Sequence, residues 1–180
     1  VRFTPGELLG EDSLVTQQAT GGPYYFSYTL KGEDDEIWMP RFSYYGFRYV
    51  QVTGAVPANY PNTIHRPVIE TIQLLHTRNS SPEVGSFKCS NELFNSIYEL
   101  IKWSIKSNMA SVATDCPHRE KLGWLEQPHL LGNSIKFIFD IHTLYDKIID
   151  DMIDAQLDNG LVPDIAPADF PFGGGLRVSS

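Results

Sequence analysis

Prolines at positions 40, 57, 61 and 67 exclude any long helix from the middle of the first half of this chain. Each removes a backbone donor and clashes with the preceding turn. From Gly85 onward the pattern changes, and apolar residues recur at helical spacing. The chain therefore reads as two regions, a β region over 1–84 and an α region over 85–180.

In the β region, Tyr24–Leu30 is dense in aromatics and follows the turn signal Gly21-Gly22-Pro23. Phe47–Thr53 alternates and stops at Gly54. Phe47, Tyr49 and Val52 cannot share one face, which implies a register break or burial on both sides. Val68–Leu74 is a third strand candidate. Short strands between turn signals predict an antiparallel β-sandwich or part of one. In the α region, Ser90 or Asn91 is placed to cap a helix, with Glu92 favoured by the dipole of its first turn. Phe94, Ile97, Ile101 and Ile105 form its apolar stripe. A second helix is predicted over much of Leu130–Leu157, packed on two sides, with Gly160 as its C-terminal cap. Two helices do not enclose a core, so the α half reads as incomplete.

The chain has 180 residues, 42% hydrophobic and 20% charged, which is ordinary for a globular protein and excludes disorder. A net charge of -8 without a Lys/Arg stripe argues against nucleic acid as a partner. No apolar run is long enough to span a bilayer, and the start Val1–Glu7 has no apolar core, so any signal peptide is expected to be absent or already removed. The two cysteines, Cys89 and Cys116, follow no zinc or redox spacing and leave the compartment open, extracytoplasmic or cytoplasmic. Cys116, His118 and His129 match no structural zinc site. Asp146, Asp150, Asp151 and Asp154 read as a solvated helix face. Aromatics at 12% suit a β-rich core and carbohydrate binding equally.

Chemistry concentrates in the polar loop Ala113–Gln127, which holds Asp115, His118, Arg119, Glu120, Trp124, Glu126 and Gln127. Pro117 and Gly123 keep it from forming a simple helical turn. An aromatic face beside carboxylates and a guanidinium fork suits a sugar ring, with C–H groups on the indole and hydroxyls on the charged groups. The competing reading is an Arg119–carboxylate network that fixes an interhelical loop and packs Trp124 inward. Asp164 and Asp169, in the Pro-bounded loop beyond the second helix, are candidates for the rim. Trp38, Trp103, Tyr44 and Tyr45 read as packing or interface residues rather than sugar platforms.

The run Thr114-Asp-Cys-Pro-His-Arg-Glu-Lys-Leu-Gly-Trp124 resembles the hallmark motif of bacterial α-L-rhamnosidases, glycoside hydrolase family 78. That motif has the form D-C-P-x-R, an acidic residue, then L-G-W or R-G-W. Three flanking stretches resemble the family in the same order: 38–54 its sandwich strand, 87–95 the start of its first barrel helix, and 151–167 the close of the next. The resemblance implies an antiparallel β-sandwich followed by the first helices of an (α/α)6 toroid, here incomplete. It also implies removal of terminal α-L-rhamnose with inversion, which needs two carboxyl groups about 6.5–9.5 Å apart. By motif position Glu120 is the general acid. A carboxyl that must deliver a proton near neutral pH is helped by burial beside Trp124 or by a neighbouring carboxylate. Asp115 binds sugar hydroxyls, and Arg119 is expected to pair with Asp115 or the sugar rather than with Glu120. Trp124 walls the apolar side of rhamnose, and His118 is structural. Family members carry W-x-G-D after the motif where this chain reads Trp124-Leu-Glu-Gln127, so Glu126 and Gln127 take that part of the subsite. The catalytic base lies beyond residue 180 in the family, so these residues alone are expected not to turn over substrate. No organic cofactor and no bound metal are implied, and a structural calcium ion is left open. The alternatives are a non-catalytic carbohydrate-binding module and an inactive homologue, distinguished by whether Glu120 is needed for turnover or only the sugar-binding groups for affinity.

Overall fold

The computed structural model describes residues 1–20 and 22–168. Asp169 and the glycine-rich stretch after Phe172 lie outside the described residues. By its internal contacts the chain divides into one unit over Val1–His76 and a second beginning at Thr77.

The first unit carries β1 (Arg2–Gly6), β2 (Leu8–Leu9), β3 (Val15–Thr16), β4 (Phe26–Ser27), β5 (Tyr49–Thr53), β6 (Val56–Pro57) and β7 (Val68–Ile69). The main sheet runs β4-β1-β5, antiparallel throughout. Its centre, β1, is a strand the pattern does not announce, because Arg-Phe-Thr-Pro-Gly holds two poor strand formers. Its partner makes it one: β5 runs beside it from Arg2 opposite Thr53 to Gly6 opposite Tyr49. Pro5 is accommodated because β4 flanks only Arg2 and Phe3. The register of β5 is unbroken, and burial on both sides resolves its awkward alternation. Val50, Gln51 and Val52 are all half-buried, and Gln51 Oε1 accepts the Val15 amide at 3.1 Å.

The other two strand candidates shrink to the residues that face a partner backbone, Phe26–Ser27 and Val68–Ile69. The second of these pairs with β6 in parallel, against the all-antiparallel expectation. The aromatics around them pack as rings. Trp38 stacks on Phe3 at 5.9 Å and on Tyr28 at 5.3 Å, and Tyr45 lies 5.0 Å from both Tyr24 and Phe26.

The second unit contains α1 (Glu92–Asn108), α2 (Glu126–Ile138) and α3 (His142–Asp154). Asn91 is the N-cap of α1, its side chain accepting the Leu93 amide at 2.9 Å. Ile105 and Met109 from the end of α1 join Ile135, Ile138, Phe139, Ile141, Leu144 and Ile148 in one buried cluster. The rest of the α1 stripe, Phe94, Ile97 and Ile101, is exposed, and α1 meets that cluster through Tyr98, Ile105 and Met109 instead.

The single second helix expected over Leu130–Leu157 is two helices. The first begins earlier, at Glu126, and tolerates Pro128 because first-turn amides have no intrahelical acceptor. At Phe139 the backbone turns extended, and residues 82–85 fasten onto the break. Val84 and Gly85 donate to the Ile138 carbonyl at 2.8 and 3.2 Å, and Asp140 donates to Pro82 at 3.0 Å. No proline or glycine marks this break, and the run Phe137-Ile-Phe-Asp-Ile141 reads as continuous helix. Gly160 does not cap a helix either. Ala155 follows α3, and Gly160, at φ +83°, sits in a separate turn between Leu157 and Leu161.

The fastening at 82–85 has a steric and an ionic component. A Cβ on Gly85 would lie 1.7 Å from the Phe137 carbonyl oxygen, which is backbone and has little room to give. Gly85→Ala is therefore expected to destabilise the second unit by about 3 kcal/mol or more, measured by thermal unfolding of the full-length protein. Glu83 pairs with Lys106 and Lys102 of α1. The Lys106 hydrogen bond, with the charges of Lys106 and Lys102, holds its carboxyl below the usual carboxylate range against a smaller desolvation effect. A carboxyl lowered in the folded state adds stability above its unfolded titration range and loses it as pH falls through its folded one. The stability gap between wild type and Glu83→Gln is thus expected to be full at neutral pH, to begin shrinking as pH falls through about 4, and to be gone once Glu83 is protonated in the folded state.

Candidate active site

The segment from Met109 to Leu125 joins α1 to α2, and its course is set by short-range bonds. Thr114 is buried, its amide donating to the Asn108 carbonyl at 2.8 Å, while its hydroxyl lies 3.1 Å from Asn108 Oδ1. Asp115 closes the next stretch on itself: its amide donates to the Leu122 carbonyl at 3.3 Å and its Oδ1 accepts the Leu122 amide at 3.1 Å. Within that closure residues 117–120 make one turn, ended by the Glu120 amide donating to Cys116 Sγ at 3.2 Å. Lys121 then reverses the chain at φ +56°, a left-handed conformation uncommon for a side-chain-bearing residue. Burial pushes the Lys121 ammonium below its usual range, with a smaller opposing effect from Cys116.

Glu120 is thereby set on the outer side of the turn, its side chain 41% exposed. Oε1 lies 3.2 Å from Arg119 Nη2, and Oε2 accepts the Trp124 indole N–H at 3.3 Å. The structure thus brings Arg119, Glu120 and Trp124 together, with Asp115 joined to Glu120 through Cys116. Of the two partners expected for Arg119, Asp115 or the sugar, Asp115 is corrected: Arg119 pairs with Glu120. The reason lies in the loop closure. Asp115 Oδ1 is taken by the Leu122 amide and Oδ2 by the Cys116 thiol at 3.0 Å, while the neighbouring Glu120 faces solvent. The expected burial of Glu120 beside Trp124 is likewise corrected: Glu120 is exposed and meets Trp124 through the indole N–H. Glu126 and Gln127 occupy the first turn of α2, and neither side chain has a hydrogen-bond partner among the described residues.

Gly123 contributes by size rather than by conformation. Gly123, Trp124 and Leu125 lie antiparallel to Asp164, Ile165 and Ala166. Leu125 donates to the Asp164 carbonyl at 2.8 Å, and Ala166 donates to Gly123 at 3.1 Å. Ile165 and Ala166 are buried, and a Cβ on Gly123 would lie 2.5 Å from the Ala166 carbonyl oxygen. The loop after α3 therefore holds Trp124 in place by its backbone, and Asp164 takes part through its carbonyl oxygen. The strap itself has a faint signature, an apolar Ile165 bracketed by Pro163 and Pro167. Cys116 as a bridge and Lys121 as the reversal have none.

Outside this loop, the other aromatic candidates look different. Trp38 has its ring faces stacked on Phe3 and Tyr28, and Trp103 is half-exposed on α1 with Lys106 Nζ 5.1 Å over its ring. Both cysteines are free thiols, and among the described residues no three His, Cys, Asp or Glu side chains cluster as metal ligands would.

Residues 1–70 match the family model of the bacterial α-L-rhamnosidase concanavalin-like domain, and residues 82–177 match that of the bacterial α-L-rhamnosidase six-hairpin glycosidase domain. The chain belongs to the bacterial α-L-rhamnosidase family. It is 34% identical to an α-L-rhamnosidase of Formosa agariphila over 74% of this chain and 13% of that protein. To an α-L-rhamnosidase of Streptomyces avermitilis it is 32% identical over 98% of this chain and 16% of that one. The crystal structure of the Streptomyces avermitilis α-L-rhamnosidase complexed with L-rhamnose aligns with 96% of this chain, at TM-score 0.77 and 30% identity, using 16% of its own length. The α-L-rhamnosidase of Aspergillus terreus aligns at TM-score 0.76 and 31% identity, over 96% of this chain and 20% of that one. The chain thus spans about a sixth of the length of the α-L-rhamnosidases it resembles, and its fold class of β-strands followed by helices is theirs.

Gly123→Ala is expected to push the 164–166 strap off the loop. In the full-length protein it should lower the melting temperature and redshift the Trp124 fluorescence, read as the difference spectrum against Trp124→Phe in the same background.

Proposed function

We propose that this chain is the acid-bearing front part of an inverting α-L-rhamnosidase, releasing terminal α-L-rhamnose from glycans or glycosides. Glu120 is the general acid that protonates the leaving glycosidic oxygen. Asp115 and Arg119 bind sugar hydroxyls, Trp124 stacks on the apolar face that carries the C6 methyl group, and Gln127 and Glu126 line the subsite beside them. The carboxylate that activates water comes from outside these 180 residues.

One observation carries the reading: a solvent-facing carboxylate with an indole N–H on one oxygen and a guanidinium on the other, on a loop closed beneath it. These are the donors, aromatic face and acid that a sugar ring and its leaving oxygen require. The Arg119 contact fits a resting state. Arg119 Nη2 occupies Glu120 Oε1, so that oxygen reaches the glycosidic oxygen once Arg119 turns toward the sugar. Its half-exposed side chain, held by one hydrogen bond to its neighbour, is free to do so. A bound sugar then covers Glu120 and supplies the water exclusion that the loop alone does not.

The test is hydrolysis of an aryl α-L-rhamnoside by the full-length protein, wild type beside Glu120→Gln. General acid catalysis contributes about 10²–10⁴-fold, and a loss of that size in kcat with L-rhamnose binding retained is the expected result. The 180-residue chain alone is expected to show no turnover. Equal turnover of wild type and Glu120→Gln would remove Glu120 as the acid. Sugar binding without turnover in both would identify a binding module instead.

A further inference from the structure

We infer that Cys116 is a positioning residue for the hydrolysis proposed above, its thiol tying the Glu120 backbone and the Asp115 carboxylate into one frame. The inference rests on that reading and names a residue it does not use. Cys116 Sγ donates to Asp115 Oδ2 at 3.0 Å and accepts the Glu120 amide at 3.2 Å. A thiol is a weak donor and a weak acceptor, and here both capacities are spent on the two acidic residues of the loop.

The position has consequences for each partner. The Glu120 amide is four residues beyond Cys116, so the sulfur occupies the place that a carbonyl oxygen fills in a continuing helix. Beside it, the amide bonds between Asp115 and Leu122 close the turn at its far ends. On the other side, the thiol engages the Asp115 oxygen that Leu122 leaves free, and so keeps that carboxylate from turning to Arg119. That leaves Arg119 with Glu120 until a sugar competes for it. Cys116 touches neither the Glu120 carboxylate nor the place of the scissile bond, so it acts through geometry alone. A small misplacement of an acid from the oxygen it protonates is costly, since proton transfer requires near hydrogen-bond distance. Cys89 offers an internal comparison, because its thiol hydrogen-bonds the Asn91 carbonyl at 3.4 Å at the start of α1, away from the acidic residues of the loop.

The experiment measures kcat and KM for an aryl α-L-rhamnoside with the full-length protein as wild type, Cys116→Ala, Cys116→Ser and Cys89→Ala, beside their melting temperatures. Cys116→Ala is expected to lower kcat about tenfold, the size that follows from losing one or two weak hydrogen bonds, with a smaller change in KM. Cys116→Ser keeps a donor and an acceptor on a shorter bond and is expected to recover most of that loss. Cys89→Ala is expected to match wild type. If Cys116→Ala does not fold, Cys116→Val, which keeps the volume without the hydrogen bonds, takes its place in the comparison. Wild-type kcat in Cys116→Ala, or equal losses in the Ala and Ser variants that track their melting temperatures, would overturn the inference. An inactive wild-type protein would instead overturn the rhamnosidase reading, and the inference with it.

Discussion

The reciprocal hydrogen bonds between Asp115 and Leu122 are the constraint on which the rest of the site depends. They join the two ends of a stretch that has neither helix nor ladder of its own, and so decide which side chains face outward. Cys116 and Thr114 fall inside and are consumed by local bonds, while Arg119 and Glu120 fall outside. The strap of Asp164–Ala166 then fixes Trp124 against Glu120 by backbone pairing, so the indole is positioned without relying on a packed pocket. A loop between helices thereby acquires the rigidity usually supplied by regular structure.

What was legible in the sequence followed how local the determining interaction was. The α1 start is visible in Asn91 and Glu92 because a cap is a contact between near neighbours. The grouping of Arg119, Glu120 and Trp124 was legible because they stand together in one short run. The break between α2 and α3 was hidden because its cause lies in residues 82–85, far from Phe139 in sequence. The strand at Arg2–Gly6 was hidden for the same reason, since β5 creates it. That Asp115 is not open to Arg119 was hidden because the occupancy of Asp115 is a property of the closed loop, not of the motif. Lys121 shows the limit most clearly: a glycine was the natural candidate for the reversal, yet Gly123 is needed for close approach and the left-handed turn falls on a lysine.

The two halves rely on different stabilising principles. The β unit has short ladders and leans on ring packing, with Trp38 between Phe3 and Tyr28 and Tyr45 against Tyr24 and Phe26. The helical unit concentrates its burial where the ends of α1 and α2 meet α3, and leaves Leu93, Leu100, Phe137 and Ile153 in the open.

The site loop closes through bonds between residues near in sequence, while its strap comes from the loop directly after α3. Contacts of short sequence separation form early, because little chain entropy opposes them. The acid of the proposed enzyme is therefore assembled from a stretch of chain that ends by Ala166, independent of the distant segment that would bring the base. During synthesis from the N-terminus, one half of the catalytic pair would stand finished while the other was still to be made. Any folding error in the later hairpins would then leave the acid loop intact but without the second carboxyl group across the sugar.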